Sequence, residues 1–164
     1  SKLTSPKVSP SNFNDSKKLS LKSRKKMFEK IINSKSIFSV GLSNSKEVDN
    51  DGIIIATKNS MKKSLDKINY DYALIDSVDL MINKPYFNFN KADSISVSVA
   101  AASIIAKVCR DSMMTNIYDK LYPDYFFKNN KGYGSNKHIE IMKNIGLCPI
   151  HRKTFKPNSE LIRK

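Results

Sequence analysis

Residues Lys91–Asp111 read KADSISVSVAAASIIAKVCRD. The middle, VAAASIIA, is small and apolar, as in a helix packed close against its neighbours. The ends do not suit that reading. Asp93 stands at the head, and Lys107, Arg110 and Asp111 close the tail. Extended through SMMTNIYDKLY, the helical pattern runs to Pro123, with packing overriding the early β-branched residues. Upstream, YALID (72–76) is a short apolar run ending in an acid. It predicts a buried strand with Asp76 at its C-terminal end. After a turn near Lys84-Pro85, YFNF predicts another strand.

Other segments fill in around these. Ser20 reads as the N-cap of a helix over about 21–33, with Leu21, Phe28, Ile31 and Ile32 on one side. SIFSVGLS alternates like a half-buried strand. EVDNDGIIIATKNSMKKSLDKI, with Ile54, Thr57, Met61, Leu65 and Ile68 in phase, predicts one helix. Ser135 caps a last helix, NKHIEIMKNI, which Gly146 ends. CPIHRKTFKPNS reads mostly as loop. Residues 1–13 form a loose leader, 14–157 one domain and 158–164 a tail. This order of elements predicts an α/β fold.

The 164 residues suffice for one domain with a core. Lys and Arg number 29 against 15 acids, and the net charge of +14 favours a polyanion, nucleic acid ahead of membrane. A soluble basic domain whose Lys and Asn reflect an AT-rich genome is the competing reading. Cys109 and Cys148 form no Cys-x-x-Cys pair and imply no disulfide framework. Cys109, in an apolar run, is expected in the core. No stretch approaches the roughly 20 apolar residues of a membrane span. The start lacks a signal peptide's apolar run, so the expected location is cytoplasmic. Residue 1 is Ser, from which the chain is expected to lack its beginning.

In open α/β sheets ligands bind beyond the carboxyl ends of strands, where Asp76 is expected. Asp93 follows at the entry to the long helix. Two carboxylates brought together there repel unless a cation lies between them. Mg²⁺ takes such oxygens and keeps room for water and phosphate. A strand-end turn residue for Asp76 and a helix N-cap for Asp93 are the plain alternatives. Asp111 beside Arg110 reads more simply as an ion pair. Lys17 and Lys18 either contact phosphate or belong to a solvated basic face. Tyr133 lies between two glycines and is either a stacking ring or a core tyrosine. His138 and His151 have no ligand-like spacing and read as hydrogen-bonding residues.

Seven blocks now stand in order: DSKKLS (15–20), IIIATKNSM (53–61), LID (74–76), KAD (91–93), AAASIIAKVCRD (100–111), NKGYGSNKH (130–138) and PIHRKTF (149–155). Together they resemble type 2 ribonuclease H, ribonuclease HII, over about Asn14 to Pro157. The resemblance implies an endonuclease that cuts the RNA strand of RNA–DNA hybrids. It also implies cutting 5′ of single ribonucleotides in duplex DNA, with two Mg²⁺ or Mn²⁺ ions. The implied fold is a ribonuclease H-like mixed sheet flanked by helices, and the implied state is monomeric. Asp76 and Asp93 match metal-binding acids of the family, and Asp111 matches a less central one. Tyr133 matches the tyrosine that packs on the sugar beside the ribonucleotide. Lys17 matches a lysine beside the substrate backbone. Lys107 and Arg110 either face phosphate or partner the acids.

The resemblance also has gaps. The family opens with Asp-Glu-Ala-Gly-Arg-Gly and a following strand, and neither precedes DSKKLS here. Two of four family acids and the first two strands of the sheet are therefore expected to be missing. Weak or no cleavage follows, and a non-catalytic nucleic-acid-binding remnant of the family is the alternative. LIDS stands where bacterial members usually have Leu-Ile-Asp-Gly, a change at a turn.

Overall fold

The computed structural model describes residues 19–162. The leader and Lys17 lie outside them. The chain forms two compact units, one built from residues up to 41 together with 61–108, the other from 42–60 together with 109 onward.

In the first unit, α1 (Leu21–Ile32) starts where Ser20 Oγ accepts from Ser23 N, and it buries Met27 and Ile31. The expected strand SIFSVGLS is not a strand. Phe38 and Leu42 are exposed, and an alternating pattern forms a strand only where a partner strand takes its hydrogen bonds. β1 (Ala73–Asp76) and β2 (Tyr86–Phe89) do pair, in parallel, with Asp76 opposite Phe89. The sheet among the described residues is these two parallel strands, where a mixed sheet was expected. Their connection, 77–85, is shorter than the usual parallel crossover of about a dozen residues. It turns back by sinking Leu80 into a cluster with Ala73 and Ile75, against which Met61, Leu65, Tyr70 and Tyr86 pack. The other face of β1 carries Leu74, which is exposed.

The long helix begins at Val97, at the head of VSVAAASIIA as expected, and Asp93 lies on a separate turn before it. α4 (Ala92–Ile95) is one turn, Ser96 is extended (φ −111°, ψ 123°), and α5 (Val97–Met113) follows. Of the expected small apolar face, Val99, Ala100, Ile104 and Ile105 are buried. The pattern continues to Pro123 as expected, but through a π-helical stretch, Met114–Tyr118, before α6 (Asp119–Leu121).

In the second unit, α2 (Ser45–Asp51) opens with a reciprocal cap between Asn44 and Glu47 and stops at Gly52. α3 (Ile53–Leu65) then restarts, its residues from Met61 on belonging to the first unit, so the single helix expected here is broken. Gly52 has φ 81° and ψ 159°, a backbone that is essentially restricted to glycine. A 3₁₀ turn (Pro123–Tyr125), α7 (Phe127–Asn130), α8 (Asn136–Ile145) and α9 (Asn158–Leu161) complete the unit. α8 is capped by Ser135 and ended by Gly146, as the sequence implied, while α9 is a turn of helix in the expected loop. The core gathers Met114, Tyr125, Phe127, Met142 and Cys148. Cys148 is thus the core cysteine, and Cys109 is only half-buried.

Asp49 on α2 fastens the end of this unit. Its Oδ1 accepts from Thr154 N (3.0 Å) and Thr154 Oγ1 (2.7 Å), and its Oδ2 from Lys153 N (2.8 Å). Burial alone would raise the Asp49 carboxyl, but the Thr154 and Lys153 hydrogen bonds outweigh it and hold the group below its ordinary value.

Candidate active site

Asp76 ends β1, where the ladder stops and the chain turns. Its Oδ1 accepts from Ala92 N (3.0 Å) and from Ser77 Oγ (3.0 Å). Oδ2 makes no hydrogen bond to the described residues. The bond to Ala92 ties the strand end to α4, which lies against β1 and carries the buried Asp93. One side-chain-to-backbone hydrogen bond thus joins Asp76 to the residue that precedes Asp93. Asp93 is not an N-cap, because Lys91 holds that position.

Two residues beside these acids take left-handed backbone, Ser77 (φ 59°) and Lys91 (φ 59°). Such conformations in non-glycine residues gather at functional sites. The sequence flagged only the first, as the Leu-Ile-Asp-Ser departure. Ala92 is fully buried beneath Asp93.

A hard divalent ion needs oxygen donors with at least one free lone pair facing the site. Asp76 Oδ2 offers such a lone pair. Among the described residues no cluster of three or more His, Cys, Asp or Glu could hold a metal.

Lys107 is half-buried on α5 in the same unit as the two acids. Arg110, Asp111 and Tyr133 belong to the second unit. Arg110 Nη1 lies 3.4 Å from Asp111 Oδ1, the expected ion pair. The same guanidinium sits over the Tyr133 ring at 4.9 Å. Tyr133 is 51% exposed, which decides against a core role. Gly132 has φ 73°, a backbone that L side chains rarely adopt, and an added Cβ would also press on Met114 Cε at 3.1 Å. Gly134 would meet nothing.

Arg152 escaped the sequence reading. Its guanidinium stacks on Phe155 at 3.9 Å, and burial, followed by the charge of Arg110, lowers its pKa. Positive charge is therefore concentrated near Tyr133. His138 and His151 do hydrogen-bond, as expected, and to one another. No helix among the described residues is long and apolar enough to cross a membrane.

The family described as Ribonuclease HII matches residues 4–158. A Ribonuclease HII of Enterococcus faecalis is 43% identical over 92% of this chain and 59% of its own length. One from Acholeplasma laidlawii is 41% identical over 93% of this chain and 76% of its own. The chain thus spans little more than half the length of the first of these relatives. The crystal structure of ribonuclease H2 from Pyrococcus horikoshii superposes with a TM-score of 0.71 at 27% identity, over 92% of this chain and 80% of that one. With a family model matched over residues 4–158 and relatives about 40% identical over most of its length, this chain belongs to the ribonuclease HII family.

Proposed function

We propose that this chain acts as a metal-dependent endonuclease, cutting the RNA strand of RNA–DNA hybrids and 5′ of single ribonucleotides in duplex DNA. The observation that carries the proposal is the bond from Ala92 N to Asp76 Oδ1, which joins the strand-end acid to the turn of helix that carries Asp93. Asp76 and Asp93 would hold Mg²⁺ or Mn²⁺. When bound, such an ion activates water and stabilises the leaving oxygen of a phosphodiester. Asp76 keeps one oxygen directed to that role because Ala92 and Ser77 occupy the other. A second ion would be held with an Asp-Glu pair of the kind the family carries at its start.

The positive surface steers and holds the backbone without reading sequence. Arg110, Arg152 and Lys107 supply charge, and Lys17 a further phosphate contact. Tyr133 offers a ring to the sugar at the cut, and Arg110 above it restrains its rotation. The enzyme would act as a monomer in the cytoplasm.

The test is cleavage of end-labelled duplex DNA containing one ribonucleotide, in Mg²⁺ and then Mn²⁺, beside any longer product of the same gene. A cut 5′ of the ribonucleotide supports the proposal. Folded protein that binds the duplex with steep salt dependence and never cuts it supports a binding remnant instead.

A further inference from the structure

A polar thread crosses the aromatic core of the second unit. Gly132 N donates to Asn130 Oδ1 (2.7 Å), and Asn130 Nδ2 donates to the Tyr125 carbonyl (2.7 Å). The same Nδ2 lies 3.1 Å from His138 Nδ1. His138 Nε2 lies 3.3 Å from His151 Nε2. His151 Nδ1 is 3.3 Å from the Cys148 carbonyl, 3.1 Å from Cys148 Sγ and 3.0 Å from Cys148 N. His138 is 1% exposed, and Tyr125 and Phe127 enclose both rings.

The Asn130 amide cannot flip, because one backbone N–H and one backbone carbonyl hold its two ends. Nδ2 therefore faces His138 Nδ1. At the far end Cys148 N–H donates to His151 Nδ1 (3.0 Å), and the two rings meet through their Nε2 atoms.

The loop at the open end of the thread needs holding. Lys131 and Gly132 are consecutive left-handed residues, at φ 51° and 73°, and Tyr133 follows them into solvent.

We infer that Asn130 and His138 are positioning residues, whose buried thread fixes the 130–134 loop in the shape that presents Tyr133 to a nucleotide sugar. This inference rests on the proposed function for what Tyr133 touches, but not for how it is held. The thread ends in a core ring rather than in solvent, so the loop shape is tied to core packing.

The test compares affinity for duplex DNA containing one ribonucleotide with affinity for the all-DNA duplex. It is accompanied by amide exchange at Gly132. His138→Phe keeps a ring and removes both hydrogen bonds. It should lower the ribonucleotide preference about tenfold, as Tyr133→Ala does, with the double variant no worse than either single. His138→Gln, which can hydrogen-bond to Asn130 and to His151, should restore the preference to within about twofold. Gly132 exchange should speed up in the Phe variant and recover in the Gln variant. Additive losses, no rescue by Gln, or unchanged Gly132 exchange in folded His138→Phe would overturn the inference. If His138→Phe does not fold, Asn130→Asp keeps the acceptor for Gly132, loses the donor to His138, and is read the same way. Should the unaltered protein show no ribonucleotide preference, the functional reading fails, while Gly132 exchange still decides the thread.

Discussion

In the proposed function Asp76 divides its work between its oxygens: Oδ1 joins strand to helix, and Oδ2 would take the ligand. Asp76→Asn keeps an oxygen that can accept from Ala92 N but removes the charge. In a form that also carries the family's Asp-Glu pair, we predict that it abolishes cleavage of a ribonucleotide-containing duplex while shifting the melting temperature little, measured by gel assay and thermal denaturation. Ser77 next to it has φ 59°. Left-handed backbone costs a non-glycine residue roughly 1–2 kcal/mol, and glycine gives back part of that gain through its greater entropy in the unfolded chain. Ser77→Gly should therefore stabilise the protein by about 0.5 kcal/mol, read from denaturant midpoints. The place of Asp76 was legible because an apolar run ending in an acid is a local pattern. The partnership with Ala92 was not, since nothing local says which backbone N–H comes within reach.

Among the elements, local pattern succeeded where the element closes its own hydrogen bonds. α1 and α8, with their serine caps, lie where Ser20 and Ser135 place them. It failed for SIFSVGLS, because a strand is a property of a pair. It failed again around Gly52, where periodicity on both sides masks a break of helix axis. The two readings of that segment differ in a measurable way. In one continuous helix Gly52→Ala would stabilise by about 1 kcal/mol. With φ at 81° and ψ at 159° it should instead destabilise by about 1–3 kcal/mol, all of it from backbone, since no atom lies within 4 Å of the added Cβ. Chemical denaturation of that one variant decides between them.

For the molecule as a whole, charge and acid response follow from features already placed. A net charge of +14 should make hybrid binding weaken steeply with salt, by about three orders of magnitude between 50 and 200 mM for about six phosphate contacts. A flat salt response in an anisotropy titration would count against a phosphate-tracking surface. Burial, then the charge of His138, pushes His151 down to about 4, and burial lowers His138 as well. Between the ordinary value of 6.5 and about 4 the unfolded chain binds protons that the folded chain refuses. Stability should therefore be full above 6.5 and fall as pH drops toward 4. Melting temperatures across that range check it, and replacing both histidines with Gln should flatten the profile. The division into two interleaved units could not be read from the sequence, because each unit draws on two separated stretches of chain. The clasp of Asp49 on Lys153 and Thr154 is one product of that interleaving, and it joins residues 104 and 105 positions apart. During synthesis, α2 leaves the ribosome long before the backbone it must grip. At roughly 5–20 residues per second the wait is about 5–20 s, and for that interval Asp49 faces solvent or a chaperone, and its unit cannot close until Thr154 has been made.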